Sequence, residues 1–120
     1  MTSAVPRLDL ERLCALRSAI GAAVGREALA VFARTITDDI DLLAAQIAGQ
    51  ATNGRPAHRL KGAALGMGLA SIGQLAATID QALKDQDLIT AAVYFEALRE
   101  DAGPAVAEAQ AWWLSTPPVE

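Results

Sequence analysis

One histidine, His58, stands out in the sequence because of the residues that follow it. Lys61 and Gly62 come three and four residues later, which on a helix places both one turn away from His58. A neutral imidazole nitrogen is a competent nucleophile. Lys61 can reach an anion placed on that ring, and Gly62 has no side chain to block another protein that approaches it. The three residues therefore indicate an exposed nucleophile that has a cation one turn away and no side chain at Gly62 to obstruct a partner.

The helical pattern around His58 predicts that it lies on the surface. Leu60, Ala64 and Met67 repeat at helical spacing and form the predicted inward face, and Leu60 lies about 200° around the helix from His58. The side that carries His58 is expected to carry four further residues: Lys61, Gly62, Leu65 and Leu69. An apolar area beside an exposed histidine suits docking, so the two leucines are predicted to contact a partner.

The composition predicts that the elements around this helix are also helices. Hydrophobic residues make up 52% of the chain and aromatic residues only 4%. Alanine and leucine dominate, and both favour helix, whereas the β-branched and aromatic residues that favour strands are scarce. A chain of 120 residues suits one domain. The prediction is a single all-α domain over residues 1–120, with a core of about 8–114 and a disordered tail over 115–120.

Apolar residues at steps of three and four predict five helices. A short one covers about residues 10–20 and ends at a break marked by Gly21 and Gly25. The others cover about residues 26–49, a segment that begins near 53, residues 71–84, and a segment that begins at 88. Four such helices joined by short turns predict an antiparallel up-down four-helix bundle, with the short first helix as an accessory.

Turn and cap residues separate the predicted helices. Thr52-Asn53-Gly54 precedes the third helix, whose first turn tolerates Pro56 because the N–H groups there have no partner within the helix. Ser71 is predicted to cap the fourth helix. Asp85-Gln86-Asp87 is predicted to close that helix and open the fifth. Gly103-Pro104 predicts a kink or a break in the fifth helix.

Several other side chains are expected to have structural roles only. Cys14 is predicted to pack as a small hydrophobe, since it falls in an apolar helical pattern. Trp112 and Trp113 are adjacent, so one of them is expected to pack on the bundle. A group of three carboxylates is predicted to lie on a solvated helix face rather than to bind a metal: Asp38, Asp39 and Asp41.

Charge and hydropathy exclude several classes of protein. The net charge of −4 comes without the clustered Lys and Arg that nucleic-acid binding requires. No apolar run approaches the length of a membrane span, and the N-terminal residues do not resemble a signal peptide. We therefore expect a cytoplasmic protein with no nucleic-acid or membrane partner.

The stretch His58-Arg59-Leu60-Lys61-Gly62-Ala63-Ala64, with Gly68 and Leu69 after it, resembles the active-site motif of histidine-containing phosphotransfer (HPt) domains of bacterial two-component phosphorelays. Their pattern is a histidine, a spacer, an aliphatic residue, Lys-Gly, two small residues and a later glycine. A looser resemblance runs from about residue 8 to about 111. It implies a four-helix bundle with an accessory N-terminal helix. It also implies that His58 is phosphorylated, with Lys61 and Gly62 as the other active-site residues.

The activity that the resemblance implies is reversible phosphoryl transfer between His58 and an aspartate of a receiver domain. That partner would belong to a response regulator or a hybrid histidine kinase. The family hydrolyses no ATP, and this sequence has no nucleotide-binding loop. No cofactor is therefore expected on this chain, and Mg²⁺ is expected on the receiver.

The resemblance also implies a polar residue of the following helix near His58. The candidates are Asp80, Gln81 and Lys84. Lys84 would stabilise a phosphoryl group, Gln81 would donate a hydrogen bond to it, and Asp80 would repel it. Which of them faces His58 is left open, with Gln81 and Lys84 favoured as supporting residues.

Two other functions compete with a monomeric phosphocarrier. The first is a non-catalytic adaptor that uses the bundle only to bind a signalling partner, but such an adaptor needs none of the three residues His58, Lys61 and Gly62. The second is a dimeric phosphotransferase related to sensor kinases. It would need a two-helix dimerisation hairpin and an ATPase-like domain, for which this chain is too short.

Overall fold

The computed structural model describes residues 5–50 and 54–115, and all regular elements there are α-helices. The helices are α1 (Leu10–Ile47), α2 (Pro56–Gly66), α3 (Ala70–Lys84) and α4 (Leu88–Ser115). The prediction of an all-α chain is confirmed for this part of the sequence. The predicted cap at Asn53 and the tail residues 116–120 lie outside the described residues. Ser115, expected in the tail, is the last residue of α4.

Each helix packs on two of the others. Helix α1 contacts α2 and α4, and α3 contacts the same two helices. One apolar cluster joins all four helices, and its members range from Leu13 and Leu43 of α1 to Leu60 of α2, Ile79 of α3 and Leu98 of α4. Helix α2, which carries His58, is therefore held between α1 and α3.

Gly21 divides α1 into two arms. Its φ of 82° and ψ of 165° are not helical, so the chain bends there between residues 10–20 and 22–47. A positive φ strains most L residues but not glycine. The break predicted at Gly21 is confirmed, and residues 10–20 form the arm that corresponds to the predicted short helix.

The N-terminal arm is fixed to the turn between α2 and α3. The Asp9 N–H donates to the carbonyl of Gly68 at 2.9 Å, and Arg12 Nε donates to the carbonyl of Gly66 at 3.0 Å. Leu13 is fully buried against this turn. Gly68 has a φ of 77°, and a Cβ there would overlap Leu13. Glycine at this position therefore permits both the turn and the close approach of the arm.

The chain just before α1 also binds α4. Arg7 pairs with Asp101 at 2.8 Å and with Glu108 at 3.2 Å. Ser71, predicted to cap α3, instead lies buried within that helix and donates its hydroxyl to Asp101. The prediction of a Ser71 cap is wrong because the helix already begins at residue 70, after Leu69, and the hydroxyl finds a carboxylate of α4.

The turn from α3 to α4 follows the prediction. Asp85 is the C-cap of α3. Asp87 accepts hydrogen bonds from the N–H and the hydroxyl of Thr90, at 3.1 and 2.6 Å. Gln86 between them has a φ of 58°. The short polar segment thus closes one helix and opens the next.

Helix α4 continues through Gly103-Pro104, so of the kink or break predicted there, the break does not occur. Proline removes one backbone hydrogen bond from a helix interior. Here Gly103 and Pro104 are exposed, whereas Ala102 and Ala105 on either side of them are buried. Apolar packing on both sides of the proline keeps the segment helical. Within residues 5–50 and 54–115, no helix has the length and apolar character needed to cross a membrane.

Gly25, predicted to break α1, lies inside it against the indole of Trp113. Trp113 is fully buried, so one tryptophan does pack on the bundle as predicted. Trp112 is half-buried, meets Trp113 edge to face with centroids 5.0 Å apart, and has the guanidinium of Arg17 5.6 Å from its ring centroid. Cys14 is exposed, contrary to the prediction, because Leu13 occupies the inward face of its arm.

Replacement of Gly25 by alanine is expected to lower the free energy of unfolding by about 1–3 kcal/mol, because the new Cβ would overlap the ring of the fully buried Trp113. The measurement is chemical denaturation. Gly62→Ala is the matched control, since a Cβ there has no atom within 4 Å, and it should stabilise the helix by up to about 1 kcal/mol. Equal effects of the two variants would contradict the close contact of Gly25 with Trp113.

Candidate functional site

His58 lies in the first turn of α2, and 53% of its side chain is exposed. Pro56 occupies the start of the helix, where its missing N–H costs nothing. Ala57, Leu60 and Ala64 are buried on the opposite side. The helical period therefore turns the imidazole outward, and the predicted surface position of His58 is confirmed.

Asp80 is the residue of α3 that faces His58. Its Oδ2 lies 3.7 Å from His58 Nδ1, which is within ion-pair range but beyond a direct hydrogen bond. Only 5% of Asp80 is exposed. A carboxylate held away from water at this distance sets the electrostatic field on the inner edge of the imidazole ring.

Two cations hold Asp80 in its charged form. Arg55 Nη2 donates to both carboxylate oxygens at 3.1 and 3.0 Å, and Lys84 Nζ lies 3.5 Å from Oδ2. Burial raises the pKa of Asp80, but the hydrogen bonds and charge of Arg55, together with the charge of Lys84, outweigh it and hold that pKa below the ordinary value. Asp80 is therefore an anion at neutral pH.

A second buried carboxylate binds the same turn of α2 from the other side. Arg59 donates to Asp39 Oδ1 of α1 through Nη2 at 2.7 Å and Nε at 3.2 Å. Asp39 is buried, so its predicted solvated position is wrong, whereas Asp38 and Asp41 are exposed as predicted. A charged carboxylate can be buried on the core side of a helix because it is paired with a cation. Arg55 and Arg59 thus attach the first turn of α2 to both neighbouring helices.

Lys61 and Gly62 lie one turn beyond His58. Lys61 is half-buried, and no hydrogen bond or ion pair joins it to another described residue. Gly62 is exposed, and a Cβ added to it would have no atom within 4 Å. The space predicted beside the histidine is present.

Leu65 and Leu69 occupy different environments. Leu65 is 45% exposed and covers Gly73 of α3. Leu69 is 0% exposed and belongs to the core, so the prediction of Leu69 as a docking residue is wrong. Helix α2 ends at Gly66, and the helical period counted from His58 no longer applies three residues beyond that end.

Gln81 and Lys84, the two favoured supporting residues, lie on different sides of α3. Lys84 lines a small concavity with Arg55 and with Asp80, the carboxylate that faces His58. Gln81 lines a shallow surface toward α4 and donates to Asp85 at 3.1 Å. Lys84 is thus placed at the site, and Gln81 is not.

The sequence left open whether Asp80 faces His58, and it gave no indication of the role of Arg55. The signal was present for Asp80, which directly follows Ile79 on the core stripe of its helix. A carboxylate at the edge of such a stripe requires a nearby cation. The identity of that cation depends on how α2 and α3 pack, which no local pattern specifies.

The stabilising effect of Asp80 is expected to depend on pH. Because its pKa is lowered in the folded protein, its contribution is complete above the unfolded-state value, near 3.8, and is lost as pH falls through the folded-state value. Asp80→Asn should therefore cost about 1–3 kcal/mol at neutral pH and progressively less as the pH falls below about 4. Denaturation at several pH values measures this. Asp41→Asn, which changes an exposed acid, should show no such trend, and a constant difference for Asp80→Asn would contradict the pairing.

Comparison with known proteins assigns the chain to a family. A model of the Hpt domain matches residues 27–110, which include His58, Asp80 and both arginines of the site. A search of curated proteins and a search of solved structures each gave no match. Hpt domains take part in phosphotransfer in phosphorelays, where they interact with receiver domains. Since the match spans more than half of the sequence, the chain belongs to the Hpt domain family.

Proposed function

We propose that this chain is a phosphocarrier that transfers a phosphoryl group reversibly between His58 and the aspartate of a receiver domain. The observation that carries the proposal is the position of the single histidine, half-exposed in the first turn of α2 and inside the segment that matches the Hpt domain. A buried histidine would be inaccessible to another protein. A surface histidine without a function would not be expected to lie beside both a fixed carboxylate and a glycine with free space around it.

The reaction needs no group on this chain other than the imidazole. A ring nitrogen attacks the phosphorus of the aspartyl phosphate with its lone pair as the bond from phosphorus to the carboxylate oxygen breaks. The aspartate leaves as a carboxylate, and the reverse attack returns the phosphoryl group to the same or another receiver. The Mg²⁺ that neutralises the phosphoryl oxygens is held by the receiver in this proposal.

Charges and space around His58 suit such a transfer. Lys61 and Lys84 supply positive charge near a dianionic phosphoryl group, and Lys61 has no competing partner among the described residues. A charge-assisted contact contributes about 1.5–3 kcal/mol where it is partly shielded from water. Gly62 gives the receiver clearance, and the half-exposed Leu65 offers it an apolar contact.

The architecture in this proposal is an antiparallel up-down bundle that works as a monomer. Short turns, residues 67–69 and 85–87, join α2 to α3 and α3 to α4, and each of these pairs is in contact. Consecutive helices that pack after so short a turn run in opposite directions. In this arrangement the start of α2 meets the end of α3, which is consistent with the contact of His58 and Arg55 with Asp80.

Replacement of His58 by glutamine is expected to abolish phosphate uptake without loss of the fold, because the imidazole lies outside the core. The chain is incubated with a set of phosphorylated receiver domains, and acid-labile phosphate on it is measured. Circular dichroism checks the helices of the variant. If no receiver phosphorylates the wild type although one of them binds it, the adaptor function is correct instead. Phosphate uptake by the folded variant would place the acceptor elsewhere.

A bulky residue at position 62 is expected to impair transfer although it strengthens the helix. Gly62→Gln and Gly62→Ala both remove the cost of a helical glycine, about 1 kcal/mol. Only glutamine extends into the approach path beside His58. The rate of phosphoryl transfer should therefore fall about tenfold or more in Gly62→Gln and change little in Gly62→Ala. Equal rates in the two variants would show that the receiver does not approach over Gly62.

A further inference from the structure

We propose that the groove between the second arm of α1 and the end of α4 is a binding site for a small aromatic carboxylate. The groove contains a cavity of about 240 Å³, which is lined by Arg26, Leu29 and Ala30 of α1 and by Gln110, Trp113 and Leu114 of α4. On each helix the three lining residues have the spacing i, i+3 and i+4, so they share one face. The proposal goes beyond the proposed function and does not depend on it.

The floor of the cavity is apolar. Leu29 and Trp113 are buried and belong to the core. Gly25 lies against the six-membered ring of Trp113 and lacks the Cβ that would overlap it. An apolar cavity of about 150 Å³ in an engineered protein holds benzene, so this cavity has room for a phenyl ring with a short chain. A ring beside an indole gains an aromatic contact in addition to burial, which favours an aromatic body over an aliphatic one.

Arg26 places an unpaired positive charge at the rim of the cavity. Its side chain is exposed, and no hydrogen bond or ion pair joins it to another residue of the ranges 5–50 and 54–115. Arg55 and Arg59, in contrast, are each bound to a buried carboxylate. A guanidinium presents its N–H groups as a fork that matches the two oxygens of a carboxylate. The rim therefore favours a ligand with a carboxylate at one end.

The indole of Trp113 has a second polar group that an acceptor would satisfy. Its Nε1 is buried, and no acceptor among the described residues lies within hydrogen-bond distance. A buried N–H without an acceptor costs free energy, and such groups are uncommon in folded proteins. Carboxylate oxygens only accept hydrogen bonds, whereas an ammonium group only donates them. An anionic ligand therefore suits both Arg26 and this N–H, and a cationic ligand suits neither.

The cavity is remote from the phosphotransfer site. Asp39, which binds Arg59 in the first turn of α2, comes ten residues after Leu29 on α1. At the rise of an α-helix this separation is about 15 Å. A ligand in the cavity therefore leaves His58 uncovered, and its binding can be measured without a receiver domain.

The experiment is a titration of the nitrogen-15-labelled protein with 3-phenylpropionate and, separately, with 3-phenylpropionamide, which has the same ring and chain but no charge. The two indole N–H signals are followed by NMR, and Trp112→Phe identifies the signal of Trp113. The acid should shift the Trp113 signal until it saturates, and the amide should bind about tenfold more weakly because it lacks the charge-assisted contact. The melting temperature should also rise with the concentration of the acid, because a ligand that binds only the folded chain stabilises it.

Three variants locate the binding site. Arg26→Gln should weaken binding of the acid about tenfold and leave binding of the amide unchanged. Arg34→Gln is the matched control, since it changes another exposed arginine of α1 that does not line the cavity, and it should bind as the wild type does. Ala30→Phe changes an exposed lining residue and should fill the cavity, so that neither compound binds.

Four results would each overturn the proposal. They are the absence of a saturable shift of the Trp113 signal in the wild type, equal affinity for the acid and the amide, equal loss of affinity in Arg26→Gln and Arg34→Gln, and wild-type affinity in Arg26→Gln or in Ala30→Phe. The first two results need no variant that folds. Circular dichroism checks the helices of the variants.

Discussion

The arrangement of the site depends on one buried carboxylate, that of Asp80, which must be paired with a cation. Asp80 lies at the edge of the core of α3, where an unpaired charge would be costly, and Arg55 at the start of α2 supplies the partner. The pair joins the end of one helix to the beginning of another. His58 comes three residues after Arg55, so the same contact that satisfies the acid also sets where the imidazole lies.

The pair of Arg59 and Asp39 repeats this arrangement on the other side of α2. In both pairs the carboxylate is buried and the arginine is half-exposed. Such pairs add little net stability compared with apolar packing, but in some proteins they specify the register between helices. Helix α2 has 11 residues, and two of its four buried residues are alanines, so its inward face offers few large side chains to interlock with its neighbours. We infer that the two arginines provide the register that the small side chains do not.

The sequence was sufficient to predict the features that depend on local periodicity. The all-helical fold, the break at Gly21, the outward direction of His58 and the space at Gly62 all follow from helical spacing and glycine chemistry. The errors arose where a distant element decides the environment. Leu69 lies past the end of α2, Ser71 finds a carboxylate of α4, and Gly25 packs on a tryptophan almost ninety residues away. The choice among Asp80, Gln81 and Lys84 stayed open for the same reason, because the neighbours of Asp80 come from two helices.

The N-terminal arm lies at the opposite end of α2 from His58. The arm contacts Gly66 and Gly68 at the end of α2, whereas His58 lies in its first turn, about 12 Å away at the rise of an α-helix. The arm also lies before residue 27, where the match to the Hpt domain begins. Cys14, the one cysteine of the chain, is exposed on this arm. A fluorophore or spin label attached to its thiol would therefore follow the tumbling of the domain as it meets a partner, from a place that leaves the histidine end uncovered.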